Sequence, residues 1–278
     1  MVTRYSRKQE IELLQRNRDD AEKPISSEDM AAFLRTPQFW RQTLSGLAVW
    51  QDPESIQAYL QSAYTEMGFK VKIKVPPIPR KVNKKLIKFV QKFPESLIYI
   101  PQIKEEDYPD WVVKPAWGKY IDASKIQRIP LQGKWVAFET IASSDWNDPK
   151  GYGNGNDPLL KELSLKSRFN ISSDSHHAEG GILERFAKIS NFPKKNTRLP
   201  TAEERHFIGT LFNWLRENRE ANLPDLGSTN SWEWCENEYG FAHRLVCGRR
   251  DRGGLAAVLH HWREYPFDYI GSRVLAVL

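Results

Sequence analysis

Residues 231–235 read Ser-Trp-Glu-Trp-Cys. Two indole rings flank one carboxylate within three positions. Rings of this size alternating across a charge suit a short strand or a bend pinned by both rings. The surrounding stretch, 198–278, supplies what such a pin would hold. Thr201 is placed to cap a helix, and Glu203 and Glu204 fall where the helix dipole favours negative charge. Phe207, Ile208, Leu211, Trp214 and Leu215 then recur as an apolar stripe, before Pro224 and Gly227 interrupt. Arg244 to Cys247 and Gly271 to Val277 read as strands. The intervening segment, 248–269, carries Gly253-Gly254 and Pro266 and reads as loop.

The rest of the chain sets bounds. Its 278 residues, 40% hydrophobic and 27% charged, are enough for one large domain or two ordinary ones and suit a globular chain. No apolar run is long enough to span a bilayer. No secretory signal opens the chain, so the cytoplasm is the default location, with a virion or cell surface as the alternatives. The net charge of +6 selects no partner. The basic cluster Arg80, Lys81, Lys84, Lys85 and Lys88 reads as a solvated helix face, not a nucleic-acid signal. Cys235 and Cys247 cannot form a disulfide framework and read as buried or free thiols.

Residues 1–80 read as a small helical region. Polar helices are expected over 6–18 and from Ser26 or Ser27, followed by an apolar stripe of Phe39, Trp40, Leu44 and Leu47. A better marked helix has Asp52 as cap, Pro53 at its first position and Gly68 as its stop, with Ile56, Tyr59, Leu60, Ala63 and Tyr64 on one face. Val71 to Val75 alternates as a short strand should. Pro76-Pro77-Ile78-Pro79 marks a boundary. Within 81–278, a helix is expected over 84–92 and strands at Leu97–Pro101 and Lys134–Thr140. Ser143 to Pro158 reads as a surface loop whose spacing fits no calcium-binding hand. His176-His177 reads as part of a polar loop, since adjacent histidines point apart and suit no shared metal. A short amphipathic helix is expected over 181–190.

Four elements then carry a resemblance. Arg198-Leu199-Pro200-Thr201 with Glu203-Glu204, Thr229-Asn230-Ser231-Trp232-Glu233-Trp234, Arg244-Leu245-Val246-Cys247-Gly248 and Ile270-Gly271-Ser272-Arg273-Val274 occur in this order. They resemble signatures of the formylglycine-generating-enzyme family, a branch of the C-type lectin fold. The resemblance covers about residues 190–278. It implies an α+β, C-type-lectin-like domain over 81–278, with irregular loops and short strands, preceded by the helical region 1–80.

The family's oxidases hold copper with two cysteines in the late loops. This chain has no cysteine after Cys247, and it carries no His/carboxylate string for the iron site of the related sulfoxide synthases. It is closer in kind to the variable proteins of diversity-generating retroelements, which bind ligands without catalysis. The implied function is display of a C-terminal loop surface over 248–269 to a macromolecular ligand, a protein or a glycan, with no cofactor. Arg249, Arg250, Arg252, His260, His261, Trp262, Arg263, Tyr265 and Phe267 are the expected contacts, being rich in types that dominate binding hot spots. The N-terminal helices offer a route to an oligomer. The alternatives are an oxidoreductase of the formylglycine-generating type and a phage- or particle-associated structural protein.

Overall fold

A computed structural model describes residues 53–79, 95–112, 116–117, 121–139, 157, 159–219, 221, 223–226, 231–248 and 257–278. The helices expected before residue 52 and over 84–92, the stripe at Phe39–Leu47, the basic cluster at 80–88 and all but Asp157 of the loop 143–158 lie outside these residues.

The described chain is a mixed α+β domain. In order it forms α1 (Pro53–Met67), β1 (Glu95–Ile100), β2 (Ala116–Trp117), β3 (Lys134–Glu139), α2 (Leu159–Glu162), α3 (Ser173–His177), α4 (Ile182–Ser190), β4 (Thr197–Arg198), α5 (Ala202–Arg219), β5 (Trp232–Tyr239), β6 (His243–Gly248), β7 (Ala257–Trp262), β8 (Ile270–Gly271) and β9 (Leu275–Val277). Four strands make one sheet in the order β1-β3-β9-β4, and five make a second in the order β2-β7-β6-β5-β8. Helix α5 touches β1 of the first sheet and β5 and β6 of the second. Its buried Phe207, Ile208, Leu211, Phe212 and Leu215 belong to a large apolar cluster shared by both sheets.

Local chemistry explains the ends of these elements. Thr201 and Glu204 form a reciprocal capping pair at the start of α5. The Glu204 amide donates to Thr201 Oγ1 at 3.1 Å, and the Thr201 amide donates to Glu204 Oε2 at 2.9 Å. Each satisfies a backbone group that the first helical turn leaves without a partner. Helix α1 begins at Pro53 and stops at Gly68, whose φ of +77° is a left-handed value that glycine adopts without strain. Its expected apolar face is buried. Tyr64 packs edge-on against Phe207 with centroids 5.8 Å apart, and Arg219 of α5 binds Glu66 at 2.8 Å. Trp135 Nε1 donates to Pro76 O at 3.1 Å. Residues 53–79 thus share one core with the strands and helices beyond the proline-rich stretch.

Five local expectations are corrected. Val71 to Val75 forms no strand. Ile73 and Val75 are buried in alternation with exposed Lys72 and Lys74, but side chains of α1 stand where a partner strand would. Gln61 Nε2 donates to Ile73 O at 2.9 Å, Gln57 Nε2 to Val75 O at 2.8 Å, and the Val75 amide donates to Gln61 Oε1 at 2.9 Å. His176-His177 lies in α3 rather than in a loop, with Ser172 Oγ capping the Ser175 amide at 3.2 Å.

The segment 248–269 contains a full strand, β7, paired with β6 from His243↔Trp262 to Gly248↔Ala257. Val258 joins a small cluster on one face of the sheet, and Leu259 packs on the large cluster at the other. Two-sided burial removes the polar–apolar alternation by which strands are recognised. The final strand is split. Ile270–Gly271 pairs in parallel with β5, and Leu275–Val277 lies in the other sheet between β3 and β4. Ser272 to Val274 cross from one sheet to the other.

Arg273 sits at that crossing and is fully buried. Its Nη2 donates to Glu233 Oε1 at 3.0 Å and its Nη1 to Glu139 O at 2.8 Å. Glu233 also receives Arg205 Nε at 2.8 Å. Beside them Arg168 is paired with Glu139 and Asp157. Asp157 is therefore buried, unlike the surface loop expected there. One charge network joins β3, β5, α5 and the crossing between the sheets. Burial acts to raise the Glu233 carboxyl, but Arg273 and Arg205 outweigh it and draw it down to about 2.

The tryptophan pin is asymmetric. Trp234 is fully buried and its Nε1 donates to Ile171 O at 3.0 Å, whereas Trp232 is half-buried. Gly248, opposite Trp232, has no room for a side chain. A Cβ there would lie 2.7 Å from Ser231 O and 2.8 Å from the Trp232 ring. Trp234→Phe is expected to cost about 1–2 kcal/mol in urea unfolding, from the orphaned Ile171 carbonyl and the smaller ring. A loss below experimental error would place this indole outside the core.

Candidate functional site

The turn between β5 and β6 is built on Gly240, with φ of +59°. Its amide donates to Lys125 O at 2.9 Å, and the Arg263 amide donates to Ala242 O at 3.1 Å. The first bond holds the turn against the 3-10 turn Ala123–Lys125, and the second against the end of β7. Phe241 stands fully exposed at the tip, with Trp262 48% and Tyr265 54% exposed nearby in the chain trace. The other exposed large hydrophobics among the described residues, Val71 and Trp111, belong to different segments, and Trp111 is tied to Met67 O through its Nε1.

An aromatic row backs this end. Tyr239 stacks on His260 with centroids 4.1 Å apart and planes at 14°. His260 meets His243 edge-on at 4.9 Å, and His243 packs on Trp262 at 4.1 Å. The row fixes Trp262 against the sheet while leaving part of its ring in solvent. Burial holds His260 below the usual imidazole range, and the charge of His243 and Lys125 adds to this. The row is therefore neutral at physiological pH at His260 and offers apolar faces.

The expected contacts do not share one surface. Strand pairing places His260 and Trp262 on the face of Leu245 and His243, and His261 on the opposite face with Arg244. His261 packs on Phe267 at 4.6 Å, and Phe267 on Trp234 at 6.2 Å, so both support the core side. Arg263 is engaged by Asp174, its Nε donating to Oδ1 at 2.7 Å, and approaches Glu238 at 3.5 Å. It fastens α3 to the hairpin. Trp262 and Tyr265 are the members left open. Arg249, Arg250 and Arg252 lie outside the described residues. Phe241 was missed by sequence reasoning. Its signal was an aromatic directly after a turn glycine, where a core role has no geometry to support it.

A second cluster lies behind α3. His177 Nε2 is 3.2 Å from both carboxylate oxygens of Glu236, and its Nδ1 donates to Ser173 O at 2.9 Å. Burial acts to lower the imidazole, but its bond to Glu236 prevails and holds it above the usual range. Glu236 also accepts from the Leu199 amide at 3.2 Å. Both nitrogens of His177 are thereby committed, and the group acts as a latch between α3 and β5. Among the described residues no cluster of His, Cys, Asp and Glu is arranged to hold a metal ion, and no helix is long and apolar enough to cross a membrane.

No protein-family model matches this chain, and no curated protein does. A solved structure titled "Crystal Structure of CarF" is similar at a TM-score of 0.34 and 12% identity, covering 66% of this chain and 98% of that one. A likeness at that score carries no argument about fold or function.

Proposed function

We propose that this is a non-catalytic binding protein on a C-type-lectin-like scaffold, which captures a protein or glycan through the aromatic end of its five-stranded sheet. The observation that carries the reading is the exposure of Phe241, Trp262 and Tyr265 at one end of a hydrogen-bonded hairpin. Exposed aromatics on a stiff support supply contact area at small ordering cost. The lectin-like reading is supported by the element order. A capped helix follows the Arg-Leu-Pro-Thr string, the tryptophan strand follows it, and the closing strand returns beside β3, near the start of the domain.

Copper oxidase chemistry does not fit the thiols present. Cys235 and Cys247 are fully buried, with their Sγ atoms 3.1 Å apart. Burial and the neighbouring Cys247 thiol push Cys235 well above the usual thiol range. A substrate thiol has no approach to such a pair, and protonated thiols are poor metal ligands.

The test is a variant carrying Phe241→Ser, Trp262→Ala and Tyr265→Ala. Its melting temperature is expected to stay within a few degrees of wild type, since Phe241 is fully exposed and Trp262 and Tyr265 each have about half of their surface in solvent. Ligands that wild type retains from a glycan array or from a cell-surface protein extract should be lost by the variant. They should be kept by a control changed at Val71→Ser. Equal retention by the triple variant would move the binding surface elsewhere.

A further inference from the structure

Cys235 and Cys247 are the only cysteines of the chain, and both thiols are free in this structure. Glu233 faces Cys247 across β5 and β6, and Cys235 stands two residues further along β5. Side chains alternate along a strand, so Cys235 and Cys247 share one face, and both enter the same small apolar cluster. The pairing of β5 with β6 becomes irregular between Trp234 and Glu238. At such an irregularity a strand bends and its twist increases, and the two Sγ atoms here lie 3.1 Å apart. A disulfide holds its sulfurs about 2.05 Å apart, so a shift of about 1 Å closes the bond.

The surroundings suit the bonded form. Ile126, Ala202, Tyr239, Leu245 and Val258 complete the cluster around both sulfurs, and neither cysteine has exposed surface. The Cys235 thiol reaches the Glu233 carbonyl at 3.9 Å, a long contact for a weak donor. A disulfide has no S–H to satisfy there. The same burial shuts out reagents once the fold is closed. It holds the Cys235 thiol well above the usual range, and a protonated thiol is a poor attacking group. Exchange therefore belongs to the folding chain, before the sheet and α5 close over the pair.

We propose that Cys235 and Cys247 are an intrachain disulfide site, closed during folding by exchange with oxidised glutathione or a similar small disulfide, then sealed in the core. One chain thiolate attacks a sulfur of oxidised glutathione and expels one glutathione thiolate. The second chain thiolate attacks the resulting mixed disulfide and expels the other. The chain gives up two electrons and both thiol protons, and both glutathione molecules leave as thiols. The bond staples β5 to β6 within the hairpin whose turn carries Phe241. It stands whether or not that turn binds a partner, and it fixes the redox state that the chain met while folding.

The test uses the full wild-type chain, unfolded in urea with reductant and refolded in a mixture of oxidised and reduced glutathione. Free thiols are then alkylated and the intact mass is read. The expected product is a monomer that has lost two hydrogens and takes no alkyl group. It should melt above the reduced protein by roughly 5 °C, because the cross-link constrains the unfolded chain. Once folded, it should resist reduced glutathione at least about tenfold longer than it does in urea. Two alkylated cysteines, or glutathione adducts, after refolding would overturn the site. So would an oxidised form that melts below the reduced one, since the native fold would then reject the bond. Equal rates of reduction in buffer and in urea would overturn the sealing.

Discussion

Glu233→Ala is expected to lower the unfolding free energy by about 3–5 kcal/mol, a large part of the 5–15 kcal/mol typical of a domain. The substitution leaves Arg205 and Arg273, at 3% and 0% exposure, without the carboxylate they share. Neither guanidinium can reach water without opening the core. Arg205 keeps its bond to Leu226 O at 2.8 Å and Arg273 its bond to Glu139 O, but neutral carbonyls do not replace a carboxylate. Arg273→Met should cost less than Glu233→Ala, since Glu233 would still hold Arg205. Urea unfolding followed by circular dichroism decides the matter. A loss under about 1 kcal/mol for Glu233→Ala would mean that the network is solvated rather than closed.

The second large effect is acid sensitivity that begins well above the carboxylate range. Burial holds His206 and His176 down at about 4 in the folded state, against 6.5 when unfolded. Below pH 6.5 the unfolded chain binds protons that the folded chain refuses. Stability is therefore fully present above 6.5 and falls as the pH drops toward 4, by up to about 3 kcal/mol for each histidine. Glu233 extends the fall, since its stabilisation is present above pH 4.5 and lost as pH drops through about 2. His177 runs the other way. Its raised value adds stability below pH 6.5 that is lost as pH rises through its folded value. Unfolding free energies measured from pH 8 to pH 4.5 should show the decline, and His206→Phe should flatten it. A profile flat down to pH 5 would mean that both imidazoles protonate in place.

Much of the scaffold was legible because its signals are local. Pro53 and Gly68 bracket α1, and Thr201 with Glu204 opens α5. Both are set by backbone chemistry that neighbours in sequence supply. What stayed hidden depends on partners distant in sequence. β7 carries no alternation because Val258 packs on one face of the sheet and its neighbour Leu259 on the other. α3 is made of Ser, Asp and His, which sequence rules assign to turns, and it is held by Arg263 and Glu236 from the far hairpin. Nothing in the local sequence marks Arg168, Arg205 and Arg273 as a buried set, because their carboxylates come from other elements. Of the expected binding residues, Trp262 and Tyr265 remain open, while Phe267 and His261 turn to the core side. No period or motif separates these cases, because the difference is the face that the strand presents.

The place of β9 has a consequence for how the chain is made. Its residues Leu275–Val277 lie between β3 and β4, with Val136 opposite Val277. Until residue 277 has left the ribosome, β3 has only β1 beside it and presents a bare edge of buried-type side chains. Such an edge invites pairing with another nascent chain. Contacts closed over so long a span also form slowly. Synthesis therefore leaves an interval in which that edge is open to mispairing, and any change that delays the arrival of β9 lengthens it.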